Sequence, residues 1–146
     1  MKYYKDKNEL ILPIGSYDVD IELGKDDDAI FLEYYKKLNF PDYFGFNWDA
    51  LYDCLLDLSW MKNDIIVLIH SIKVEKSDIS WKIYLELMKD VEEQWNLCDE
   101  QLSQNIDYWK NIYNHTIDEV EFENWNKKRK LILYYPESLV KIAPVG

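Results

Sequence analysis

The run Ile65-Ile66-Val67-Leu68-Ile69 constrains the fold more than any other part of this 146-residue chain. Successive side chains of a strand point to opposite faces, so an extended backbone carrying aliphatics at every position must be covered on both sides. The run is also too short to be a helix buried all round. Such a strand belongs in the middle of a parallel sheet, and parallel neighbours are joined by crossovers, usually helical. An α/β fold follows.

The flanking segments supply the neighbours. Tyr17 to Leu23 alternates cleanly at Tyr17, Val19, Ile21 and Leu23 and reads as a strand. Leu131-Ile132-Leu133-Tyr134-Tyr135 is a second, closed by Pro136. Helical periods lie between them. Asp26-Asp27-Asp28 offers an N-cap and first-turn acids for a helix carrying Ile30, Phe31, Tyr34, Tyr35 and Leu38. Ser77 or Asp78 caps another, running to about Cys98 with Tyr84, Leu87, Met88, Val91 and Trp95 on one stripe. The order strand, helix, loop-helix, strand, helix, strand predicts a small parallel sheet with helices packed on it.

Two segments fall outside this scheme. Glu9 to Ile14 reads as an additional strand, and Gly15-Ser16 suits a tight turn, which predicts an N-terminal β-hairpin with Pro13 on an edge. Between about residues 99 and 128 the pattern weakens. Leu102, Ile106, Trp109 and Tyr113 keep a helical period until Asn114-His115 breaks it, and the stretch is expected to be an insertion before the last strand. The whole is expected to form one domain, with residues 1–16 as an extension.

The stretch that points to function is Phe40 to Met61, FPDYFGFNWDALYDCLLDLSWM, with four aspartates, seven aromatic residues and no lysine, arginine or histidine. Pro41 stops a preceding helix, Gly45 permits a sharp change of direction, and Asn47 stands where an N-cap is wanted. A helix from about Trp48 to Ser59 places Leu51, Cys54, Leu55 and Leu58 on a core face. Asp49, Asp53 and Asp57 then recur at i, i+4 and i+8 on the other, beside Tyr52, Leu56 and Trp60. Like charges at this spacing cost about 0.2–0.5 kcal/mol per pair, so folding gives no reason for the arrangement. Solvated aspartates are the commonest explanation of such a face. The adjoining rings tilt the balance, because aromatic residues beside charges resemble interface anchors.

The sequence Pro41-Asp-Tyr-Phe-Gly45-Phe-Asn47-Trp-Asp49-Ala-Leu-Tyr52-Asp53-Cys-Leu55 resembles, without a gap, the binding loop and second helix of the barstar family, intracellular inhibitors of secreted ribonucleases. The resemblance implies a barstar-like fold with a small three-stranded parallel sheet, extended here by the N-terminal hairpin strand and the helical insertion. It also implies that Tyr43, Phe44, Gly45, Asn47, Asp49, Tyr52 and Asp53 bind the partner. Asp53 would take the place of a substrate phosphate among arginine and histidine side chains. Where family members follow the helix with a Gly-Trp pair that also touches the enzyme, this chain has Asp57-Leu58. A barstar-fold module with a non-ribonuclease toxin or a regulatory protein as partner is the alternative.

Charge and composition agree with a basic partner. The net charge is -11, from 28 acidic and 17 basic residues, which disfavours nucleic acid or anionic membrane as a ligand. The expected partner is a basic ribonuclease or other toxin protein, held by a monomer in a 1:1 heterodimer. No apolar segment reaches membrane-spanning length and no signal peptide is apparent, so a cytoplasmic protein is expected. Cys54 reads as a small buried hydrophobe and no disulfide is expected.

No cofactor or metal is expected either. Asp26-Asp27-Asp28 lacks the alternating spacing of hard-cation loops. His70 at a strand end reads as structural or merely exposed, not catalytic. There is no Gly-rich phosphate loop and no nucleophile with a matched histidine, so an enzyme is not expected, although paired carboxylates such as Asp49 and Asp53 can serve as acid and base elsewhere. The patch Lys127-Lys128-Arg129-Lys130 reads as an intramolecular counter-charge.

Overall fold

The computed structural model describes residues 2–74, 76–104 and 129–139. Its sheet contains β1 (Lys2–Tyr4), β2 (Tyr17–Leu23), β3 (Ile65–Ile72) and β4 (Lys130–Pro136), all parallel, in the order β1-β4-β3-β2. The aliphatic run is central, as its composition requires. Ile66 to Ile69 are buried, and β3 is in register with β2 through Val19↔Leu68 and with β4 through Leu68↔Leu133. The α/β class and the presence of a strand beyond the basic three both hold.

The extra strand is not where the sequence places it. The turn at Gly15 forms, with φ of 80° and the Ser16 amide donating to the Pro13 carbonyl at 3.2 Å, but residues 10–14 form no strand and no hairpin closes. Pro13 has no N–H to give a ladder, and Ile11 and Ile14 stand in solvent. The added strand is instead β1, only three residues long, which pairs in parallel with β4 at the opposite edge. Its brevity and the lysines around it hide it from any reading of periodicity.

Three helices, α1 (Asp27–Lys37), α2 (Trp48–Asp57) and α3 (Trp81–Gln104), share one core with the alternate residues Val19, Ile21 and Leu23, Ile66 and Leu68, and Leu131, Leu133 and Tyr135. Each start has a local cause. Asp26 caps α1 by accepting from the Ala29 amide at 2.9 Å. The Asp27 carboxylate accepts from both the Ser80 amide and the Ser80 hydroxyl at 2.8 Å, which ties the entry of α3 to the first turn of α1. The stripe expected on α3 is confirmed at Tyr84, Leu87, Met88 and Val91, all buried, and the helix continues past Cys98 to Gln104. The rest of the expected insertion, residues 105–128, lies outside the described residues.

A buried polar chain runs through this core. His70 is fully buried, its ring stacked on Tyr135 at 4.4 Å. Its Nδ1 lies 3.0 Å from the Tyr134 carbonyl, which can only accept, so Nδ1 carries the proton. Nε2 therefore accepts from the Tyr84 hydroxyl at 2.6 Å, and the Tyr84 oxygen accepts from Tyr34 at 2.7 Å. Burial depresses the His70 pKa to about 4 and pushes the Tyr34 and Tyr84 hydroxyls up. The histidine is structural and belongs to a network that spans four elements, β3, β4, α3 and α1.

Candidate partner-binding ridge

Asn47 is the hinge between the loop and α2. Its Oδ1 accepts from the Ala50 amide at 2.8 Å, which makes it the N-cap, and its Nδ2 donates to the Gly45 carbonyl at 3.2 Å. A Cβ on Gly45 would stand 2.9 Å from that same Nδ2. Glycine and asparagine are thus fitted to each other, and a side chain at 45 would push against the cap. Upstream, the Phe44 amide donates to the Pro41 carbonyl at 2.9 Å and closes the turn begun by the proline.

The helix turns its two faces as the spacing predicts. Leu51, Cys54, Leu55 and Leu58 are buried, whereas Asp49, Asp53 and Asp57 are exposed. Burial, then the neighbouring Asp57 and Asp53 charges, push the Cys54 thiol up, so it serves as packing and not as a nucleophile. The helix ends at Asp57, two residues before the expected limit, because Leu58 takes a left-handed C-cap with φ of 46° and drops its side chain into the core. Leu58, where the resemblance implies a tryptophan, therefore points inward.

Arg129 completes the C-terminal end of α2. Its guanidinium donates to the Leu58 carbonyl at 2.9 Å and the Met61 carbonyl at 3.2 Å, with the Trp95 ring 5.4 Å away. This places positive charge at the negative end of the helix dipole. Of the patch expected to act as an intramolecular counter-charge, Arg129 is engaged by backbone carbonyls and not carboxylates, and Lys127 and Lys128 lie outside the described residues. Among the described residues no lysine or arginine forms an ion pair with Asp49 or Asp53. Two ion pairs among the described residues, Lys7 with Asp20 at 2.8 Å and Lys73 with Glu22 at 2.9 Å, are elsewhere.

The aromatic residues divide into two groups. Tyr43 is 77% exposed, and Tyr52 is half-buried beside the aspartates. Phe44, expected to face a partner, is only 4% exposed: it meets Phe40 edge-on at 4.9 Å and lies parallel to Tyr35 at 6.4 Å. Its part is to support the loop from beneath, since a ring in this aliphatic and aromatic setting stabilises more by burial than by exposure. Trp60 is likewise structural, donating to the Leu38 carbonyl at 2.9 Å. The exposed ring that sequence reading passed over is Phe46, whose neighbour Gly45 marked the loop but whose own orientation had no sequence signal.

The family model described as Barstar (barnase inhibitor) matches residues 17–109, from the start of β2 through α3 and into the stretch read as an insertion. No curated protein and no solved structure matches the chain. Among the described residues no group of histidine, cysteine, aspartate and glutamate is placed to hold a metal, and no helix is long and apolar enough to cross a membrane.

Proposed function

The chain belongs to the barstar family, and from that premise we propose that it is an intracellular inhibitor, an immunity protein, that blocks the active site of a basic ribonuclease toxin. The observation that carries the reading is the exposed pair Asp49 and Asp53, which form no ion pair among the described residues, one helical turn apart on a helix whose other face packs on the core. Carboxylates so placed repel one another in the free protein and gain when arginine, lysine or histidine side chains approach. A ribonuclease cleft, lined with such groups to hold phosphate, supplies them. Asp53 takes the phosphate position, Asp49 reinforces it, and Tyr43 and Tyr52 keep water from the charges.

The remaining site residues act on this geometry. Gly45 and Asn47 set the angle at which the loop enters α2, so the aspartates are presented without adjustment. Such preorganisation favours tight binding because little side-chain or loop freedom remains to be lost. The protein contributes no catalysis; it acts by occupancy, as a monomer in a 1:1 complex within the cytoplasm.

One observation favours a second reading. With Leu58 buried and Asp57 exposed where the family has tryptophan and glycine, the lower end of the ridge is more acidic than the family pattern, which suits a toxin other than a ribonuclease. Titrating the protein into an RNA-cleavage assay with barnase as the enzyme separates the two. Loss of cleavage at one equivalent supports the ribonuclease reading; full cleavage at excess inhibitor counts against it.

A further inference from the structure

Among the described residues, three non-glycine residues adopt left-handed backbone, a conformation that crowds an L side chain: Asn39 (φ 50°), Phe46 (φ 51°) and Leu58 (φ 46°). Two have evident reasons. Asparagine tolerates this region, and Asn39 follows the C-cap of α1. Leu58 closes α2 and is completely buried. Phe46 has neither excuse: it is a bulky aromatic residue, 44% exposed, in a loop where asparagine or glycine would fit the backbone more easily. Strain held at an exposed residue beside a candidate site directs attention to what that side chain does there.

Its surroundings answer the question. The Phe46 ring lies 5.2 Å from Tyr35 of α1 and 4.8 Å from Phe44 beneath it. Tyr35 is held in turn by its hydroxyl, which donates to Asp42 at 3.2 Å. Leu32, three residues before Tyr35 and so on the same side of α1, is 44% exposed. Phe46, Tyr35 and Leu32 therefore form an apolar shelf, based on a buried ring, that runs from the loop onto α1. It begins one residue before the Asn47 cap of the helix that carries the aspartates.

We infer that this shelf is a second contact surface for the same basic ribonuclease, which must carry an apolar patch bordering its cationic cleft, and that Phe46 is a specificity-determining residue. The inference rests on the inhibitor reading above. A cationic cleft alone recognises carboxylates of any suitable spacing; a shelf of rings adds a requirement for shape, and clustered aromatic contacts at the border of a charged centre both exclude water and discriminate among partners. α1 thereby joins the loop and α2 in recognition.

The test compares wild type with Phe46→Asn, Leu32→Ser and Asp53→Ala, reading the Kd for barnase and the thermal midpoint of each free protein. Phe46→Asn removes the ring but suits the left-handed backbone, so relief of strain offsets the lost ring contacts. Its Tm is expected within about 4 °C of wild type, while Kd rises on the order of tenfold. Leu32→Ser, at an exposed site, should raise Kd by about threefold with its Tm unchanged. Unaltered Kd in both shelf variants, with Asp53→Ala still weakened, overturns the shelf and leaves the inhibitor reading intact. A fall in Tm of Phe46→Asn well beyond that margin overturns it too, since the ring then serves the fold. Failure of the wild type itself to bind barnase overturns the reading on which the shelf depends.

Discussion

His70 and Asp53 are both polar side chains in a protein rich in aromatic packing, yet their surroundings are opposite. His70 is fully enclosed and both of its ring nitrogens are engaged, by the Tyr134 carbonyl and the Tyr84 hydroxyl. Asp53 is exposed, shares its helix face with Asp49 and Asp57, and has no cation of this chain against it among the described residues. His70 is a polar group that the fold satisfies internally; on the proposed reading, the charge at Asp53 is answered by a partner. On that reading, the contrast separates the part of the sequence that specifies structure from the part that specifies a partner.

The sharpest way to break that contrast is to remove the outward charge. On the proposed reading Asp53 becomes a buried, paired carboxylate in the complex, and Asp53→Ala would leave the enzyme's cations uncompensated. The expected loss of affinity is about 3–5 kcal/mol, read as the ratio of Kd values by calorimetry, with the Tm of the free protein unaltered. A variant that lost stability and kept affinity would reverse the roles assigned to the two regions.

The inward group predicts a pH effect of comparable size. His70 is neutral in the folded protein down to about pH 4, whereas in the unfolded chain it takes up a proton near pH 6.5. Its contribution is fully present above 6.5 and is lost as pH falls from there to 4, because only the unfolded state gains the proton. At 1.36 kcal/mol per unit this is roughly 3 kcal/mol, measurable by urea denaturation at several pH values. His70→Gln, which has no titrating ring, should flatten that part of the profile; an unchanged slope would assign it to the carboxylates.

Tyr84→Phe probes the same chain more gently. It leaves His70 Nε2 and the Tyr34 hydroxyl without the partner between them, at a cost of about 1–3 kcal/mol in unfolding free energy, while binding is unaffected. Asn47→Ala lies between the two regions. It removes the cap of α2, worth about 1 kcal/mol of stability, and also loosens the presentation of Asp49, so both the Tm and the affinity should fall. An effect on one alone would show that the cap and the ridge are independent.

How much of this the sequence discloses follows from the same contrast. The aliphatic run of β3, the cap at Asn47 and the outward i, i+4 aspartates are legible because each rests on local chemistry: side-chain alternation, one amide acceptor, helical period. β1 is not, because three residues carry no period and their pairing with β4 depends on chain more than a hundred residues away. Phe44 and Phe46 have the same side chain two positions apart, and only the packing of Phe40 and Tyr35 decides that the first is enclosed and the second presented. Periodicity stops at a loop, so no sequence signal could divide them. His70 was legible as structural or merely exposed, but its tyrosine partners come from α1 and α3 and appear only in the assembled core.

The central claim is that the ridge stands in for the phosphate backbone in a ribonuclease cleft. The direct measurement is the inhibition of barnase at a series of RNA concentrations. Occupancy of the phosphate site predicts that the apparent inhibition constant rises in proportion to RNA once RNA exceeds its KM, with kcat restored at saturation. An inhibition constant independent of RNA would place the inhibitor outside the cleft and contradict the account.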